Sequence, residues 1–202
     1  MIFKKTIHAI KEFFRKKSLR NAFFTLAKLN EFFFYAYLKT DFLENEAQYA
    51  KIFVENRKNF FQAMQKVRAL NADHADLVQL LEQLYENIFS LHLLRFRVKD
   101  YTIFAVCRQD LQNIQVLTTK LLLQLGKSFS HPALIATDHL ISQIHELESV
   151  YHRTLKVLAP DPSIFLFFIQ DLLTLSEKIE ITSNLIWHPE LLPFITKNKS
   201  SE

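Results

Sequence analysis

Apolar residues recur every three or four positions along almost the whole chain. Phe3, Ile7, Ile10 and Phe14 are spaced by four, three and four, which predicts an amphipathic helix over residues 2–17. Ser18 is a residue type that caps helices, and a second helix is expected over about 19–43, with Phe23, Leu26, Leu29, Phe33 and Tyr37 on one side. A third, about 46–70, carries Ile52, Phe53, Phe60, Met64 and Val67. Asp73 is placed to cap a fourth, where Leu77, Leu81, Leu84, Ile88 and Leu91 form a stripe that Arg95 and Val98 continue.

After a joint near Lys99 and Asp100 the same spacing returns in Phe104, Cys107, Leu111, Ile114, Thr118, Leu121 and Leu125. Two matched stripes predict two long helices packed as an antiparallel hairpin, with Gly126 as the C′ residue that ends the second. Pro132 is expected to open a sixth helix running to about Leu158, with Leu140, Ile144, Leu147, Tyr151 and Leu158 inward. Asp161 and Pro162 form an N-cap and first-turn pair for a seventh, ended by Trp187-His188-Pro189. The expectation is an all-α, single-domain helical bundle of six or seven helices around a long antiparallel helical hairpin. Its segments are a basic amphipathic helix over 1–18, the bundle over 19–196 and a flexible tail over 197–202.

Composition supports this and narrows the chemistry. Gly126 is the one glycine in 202 residues, so hairpin turns and phosphate-cradling loops are nearly excluded. Twenty phenylalanines make the core heavy and aromatic. The single cysteine, Cys107, excludes an internal disulfide and a cysteine-based zinc site. In its apolar stripe, near Asp110, it reads as a small hydrophobe with a raised pKa. No run of apolar residues is long enough to span a bilayer as a helix.

The net charge of +4 is unevenly placed. Residues 1–20 hold Lys4, Lys5, Lys11, Arg15, Lys16, Lys17 and Arg20 against Glu12 alone, a net +6, so the other 182 residues sum to −2. A nucleic-acid binder would spread its basic charge over a groove-sized face, and none is expected here. The basic N-terminal helix, with Phe3 and Phe14 on its apolar side, has instead what binding to an anionic leaflet requires. An ordinary packing helix with solvated lysines has the same pattern.

Other clusters carry less. His145, Glu148 and His152 share one helix face, but a dimetal bundle site draws carboxylates from several helices, so no metal or other cofactor is expected. Arg95, Arg97 and Arg108 gather near the Lys99–Asp100 joint, either paired with carboxylates or contacting an anion. The run Phe32-Phe33-Phe34-Tyr35-Ala36-Tyr37 covers more than one helix face, as core packing on both sides, a membrane, or a partner such as a second copy in a homo-oligomer would demand.

Three stretches also carry a resemblance. These are Leu26 through Tyr37-Leu38-Lys39-Thr40-Asp41-Phe42-Leu43; Asn59 to Leu70 with Ala63-Met64 and Arg68; and Leu84-Tyr85 followed by Leu94-Arg95-Phe96-Arg97 and Asp100-Tyr101-Thr102-Ile103-Phe104. Over about residues 20–125 the chain resembles the soluble helical domain of fusaric-acid-resistance-type inner-membrane proteins, which are aromatic-acid exporters or exporter-like. That family carries membrane-spanning helices around this region, and none is read here. The resemblance implies a non-enzymatic, cytoplasm-facing domain, peripheral to the inner membrane, that assembles with or regulates an exporter of aromatic or other organic acids. Two alternatives stand beside it: a peripheral anionic-membrane-binding protein such as a bacterial effector, and a small metal-dependent enzyme using the His145 face.

Overall fold

A long helix without proline or glycine organises the molecule. The computed structural model describes residues 2–38, 46–71, 75–97, 105–130, 135–155 and 162–187. Among these there are six α-helices and no strand, so the protein is an all-α helical bundle. The helices are α1 (Ile2–Leu38), α2 (Glu46–Leu70), α3 (Ala75–Arg97), α4 (Arg108–Ser128), α5 (Asp138–Val150) and α6 (Pro162–Trp187). A π-helical turn, Tyr151–Leu155, continues α5. The expected tail over 197–202, Pro132 and the Lys99–Asp100 joint lie outside the described residues.

The helix break expected at Ser18 does not occur. Ser18 sits inside α1, where its hydroxyl donates to the Arg15 carbonyl at 2.7 Å rather than capping a new helix. Serine can bond its own helix three residues back, so a capping residue type does not compel a cap. What does change at Ser18 is burial. Among the described side chains of α1 none before Ser18 is buried, whereas Leu19, Ala22, Phe23, Leu26, Leu29, Phe33 and Phe34 all are.

This second half of α1 is the centre of the bundle, packed against α2, α3 and α4. It runs antiparallel to α2, with Phe33 5.8 Å from Phe53 and Ser18 near Asn71 at the far end. It is antiparallel to α4 as well: buried Asn30 donates to Thr119 Oγ1 at 3.1 Å, and Phe23 lies 5.8 Å from Phe129. Gly126 is not a C′ residue. It lies inside α4, which runs on to Ser128, and its φ is not positive. A Cβ there would stand 3.1 Å from Phe23 Cβ and 3.4 Å from the Arg20 carbonyl oxygen, so α4 passes close to the α1 backbone at Gly126.

Among the described residues the two matched stripes are buried, apart from the part-buried Leu77, but they do not form the expected hairpin. The main neighbours of α3 are α6 and α1, and the main neighbour of α4 is α1. A stripe states that a seam exists, not which helix fills it; here α1, apolar on several sides, takes that place. Ser90 donates to Asp171 Oδ2 at 2.7 Å and Lys178 donates to Asn87, fixing α3 antiparallel to α6. On the other side α5 packs against α4 and α6. Thr137, which precedes α5, spends its hydroxyl on Glu180 at 3.0 Å instead of on the helix end. Tyr151, where α5 widens into the π turn, is buried and stacked on Phe165 at 4.7 Å.

The aromatic run on α1 is engaged within the chain. Phe32 meets Tyr49 and His92, Phe33 meets Phe53 and His92, and Phe34 meets Phe168. All three rings are buried, so they offer no surface for self-association. The side chains of Tyr35 and Tyr37 lie outside the described residues.

Candidate functional site

The N-terminal half of α1 carries apolar side chains that the bundle does not cover. Ile10, Phe13 and Phe14 are exposed by 50%, 62% and 50%, although they belong to the helix that forms the core. Phe13 and Phe14 meet edge to face with centroids 5.7 Å apart. Phe13 was not part of the sequence pattern; the doubled Phe13-Phe14 in an otherwise alternating segment was the signal that could have found it.

Helical register explains why these rings stay outside. At about 100° per residue, Ile10, Phe13 and Phe14 share an arc of about 100°. Leu19, Ala22, Phe23, Leu26, Leu29 and Phe33, which face the core, are centred about 180° away from it. The helix therefore reverses its polarity near Ser18. The side that is apolar and core-facing further along is lined here by Lys11, Glu12, Arg15 and Lys16.

The charged residues divide into two groups. Arg15 donates to Glu12 at 2.6 Å, and Lys16 approaches the same oxygen at 3.8 Å. Partial burial alone would raise the Glu12 carboxyl, but the Arg15 hydrogen bond and the charges of Arg15, Lys16 and His8 outweigh it and hold it below the usual range. Lys17 falls within the apolar arc and Lys11 about 110° from its centre. From there long side chains can reach sideways while the rings point down. Lys17 and Arg20 are exposed. The side chains of Phe3, Lys4 and Lys5 lie outside the described residues.

The second expected cluster is not brought together by anything described. Arg108 opens α4 and is exposed, while the side chains of Arg95 and Arg97 in the last turn of α3 lie outside the described residues. On α5 and its π turn, Glu148 lies 3.3 Å from His145 and 4.0 Å from His152, all at the surface. Among the described residues no group of three or more His, Cys, Asp or Glu is arranged to hold a metal ion. A shallow space of about 440 Å³ between α4 and α5 is lined by amides, among them Gln109, Gln112, Asn113 and Gln143, with His139 at its edge. Nothing there pairs a nucleophile with a base.

Two buried titratable groups are controlled by the core. Burial first, and then Asp110, push the Cys107 thiol up to about 12, so it packs as a hydrophobe. His92 was not singled out by the sequence. Its ring lies 4.4 Å from Phe33 and 4.7 Å from Phe53, stacked on both, and burial pushes its pKa down to about 4. Tyr85, Phe89 and His92, spaced four and three apart on α3, form a ladder of rings against Phe60 and Phe53 of α2. That spacing of aromatic residues was the available signal.

Comparison of the chain with protein-family models, curated proteins and solved structures finds no match. Among the described residues no helix is long and apolar enough to cross a membrane.

Proposed function

We propose that this is a non-enzymatic helical bundle that docks on the surface of an anionic membrane through the N-terminal half of α1. The observation that supports it is the reversed polarity of one continuous helix. Ile10, Phe13 and Phe14 face away from the bundle, where a packing helix would turn them in. An amphipathic helix lying in the interface buries rings shallowly among the acyl chains while flanking lysines reach the headgroups. Lys17, which lies between the rings in register, and Lys11 are positioned for that, whereas Arg15 and Lys16 are engaged with Glu12 on the far side. Docked on the cytoplasmic leaflet, the bundle would meet the cytoplasm-facing side of an exporter of aromatic or other organic acids. Association with such an exporter is the partner we propose, on the strength of the family resemblance. A peripheral protein with no transporter partner, such as a bacterial effector, would dock in the same way.

Partitioning onto phosphatidylglycerol-containing vesicles tests the docking. Each lysine near the surface should contribute on the order of 1 kcal/mol, so Lys11→Ala and Lys17→Ala should each weaken binding about fivefold at low salt. Arg15→Ala and Lys16→Ala should weaken it less, because both pair with Glu12, and binding should fall as salt screens the leaflet. Equal binding to neutral vesicles, or none to anionic ones, overturns the proposal. Co-purification with an exporter from bacterial membranes tests the partner separately.

A further inference from the structure

The outward face of α1 does not end where the bundle begins. Phe24, well inside the packed half, is 50% exposed, and Lys28 Nζ sits 4.7 Å from its ring centroid. Ile10, Phe13, Lys17, Phe24 and Lys28 fall within an arc of about 60° and extend over about 27 Å of helix. Lys17, Arg20 and Lys28 are all exposed. Between Glu12 and Glu31 the helix carries no acid. Rings and ammonium groups thus alternate along one line from the arm onto the flank of the bundle, a pattern suited to the headgroup level of an anionic bilayer.

We infer that the lipid-binding surface is this whole stripe, Ile10 to Lys28, and that the bundle lies on its side with the α1 axis in the plane of the membrane. The inference rests on the reading that the arm binds anionic lipid. The mechanical reason is continuity. Residues 2–38 form one helix with neither proline nor glycine, the usual causes of a sharp kink, so the arm cannot lie flat while the rest of α1 stands upright. An arm lying on its Ile10–Phe13 face brings Phe24 and Lys28 down with it. The Phe24 ring then sits at the acyl boundary and the Lys28 ammonium, already over the ring, meets lipid phosphate.

Spin labels on the full chain test this, using Phe13→Cys, Phe24→Cys and, on the exposed surface of α5, Glu146→Cys as single added thiols. Cys107 is buried and stays unlabelled. The probe is vesicles mixing phosphatidylglycerol with phosphatidylcholine, and the readout is oxygen against nickel accessibility of each label. The stripe requires labels at 13 and 24 both to enter lipid while the label at 146 remains in water. Immersion at 13 with 24 left in water overturns the inference and leaves arm docking intact. Immersion at neither position overturns both. As a check without labels, Lys28→Glu and Lys17→Glu should each lower partitioning about fivefold or more. An unchanged partition coefficient for Lys28→Glu would end the stripe at the arm.

Discussion

The two halves of α1 are continuous in backbone and opposite in environment. From Leu19 onward the helix is wrapped by α2, α3 and α4 and buries leucine and phenylalanine at nearly every turn. Before Ser18 none of its described side chains is buried, yet it carries Ile10, Phe13 and Phe14. The same residue types sit on opposite sides of the helix in the two halves. Phenylalanine therefore has no fixed meaning along this helix: azimuth relative to the neighbours decides whether a ring holds the fold together or is left available to a partner.

The largest expected difference between the halves is in stability. Phe23→Ala removes a fully buried ring at the α1–α4 contact and should cost about 3–5 kcal/mol in urea unfolding. A cost below about 1 kcal/mol would show that α4 does not depend on this half of α1.

Acid should act on the packed half next. His92, stacked on Phe33, keeps its proton off down to about pH 4, while in the unfolded chain it protonates near 6.5. The unfolded state therefore binds the extra proton between those values, and stability is lost as pH falls through that window, by roughly 3 kcal/mol in all. Urea midpoints measured at pH 7 and at pH 4.5 should separate, and His92→Phe should narrow the gap. An unchanged gap in the variant would place the acid sensitivity elsewhere.

A smaller effect is expected where Gly126 of α4 faces α1. Gly126→Leu would force a side chain into the backbone of α1 near Arg20, an overpacking change worth roughly 1–3 kcal/mol. Gly126→Ala meets one tight contact and gains helix propensity, so it should be milder. If both variants melt like the parent protein, α4 does not lie as close to α1 as described.

The arm should show almost nothing in such measurements. Phe13→Ser with Phe14→Ser should leave the unfolding free energy within about 0.5 kcal/mol while reducing the salt-resistant part of vesicle binding. A large loss of stability would make these rings part of the core and erase the contrast between the halves.

Much of the fold was legible along the chain because burial and helical period coincide. The stripe Leu77, Leu81, Leu84, Ile88, Leu91 and the stripe Leu111, Ile114, Thr118, Leu121, Leu125 are buried throughout, apart from the part-buried Leu77. The bounds of α2 and the Pro162 start of α6 also stand where composition places them. Signals that depend on a partner were not legible. Gly126 reads as a helix end until Phe23 and Arg20 are seen facing it, and Ser18 reads as a cap until its hydroxyl is found on Arg15.

The candidate site divides along the same line. Lys11, Lys16 and Lys17 and the rings among them announce an amphipathic helix, because charge and apolar spacing are written residue by residue. Only tertiary structure could decide which way that helix faces, since azimuth is defined relative to the α1 residues that α2, α3 and α4 cover. It likewise replaced the hairpin of two matched stripes with α1 as their shared neighbour, and it stacked His92 against rings from two other helices. Periodicity sets how much surface a helix must bury; the partner that buries it is chosen by packing among all six at once.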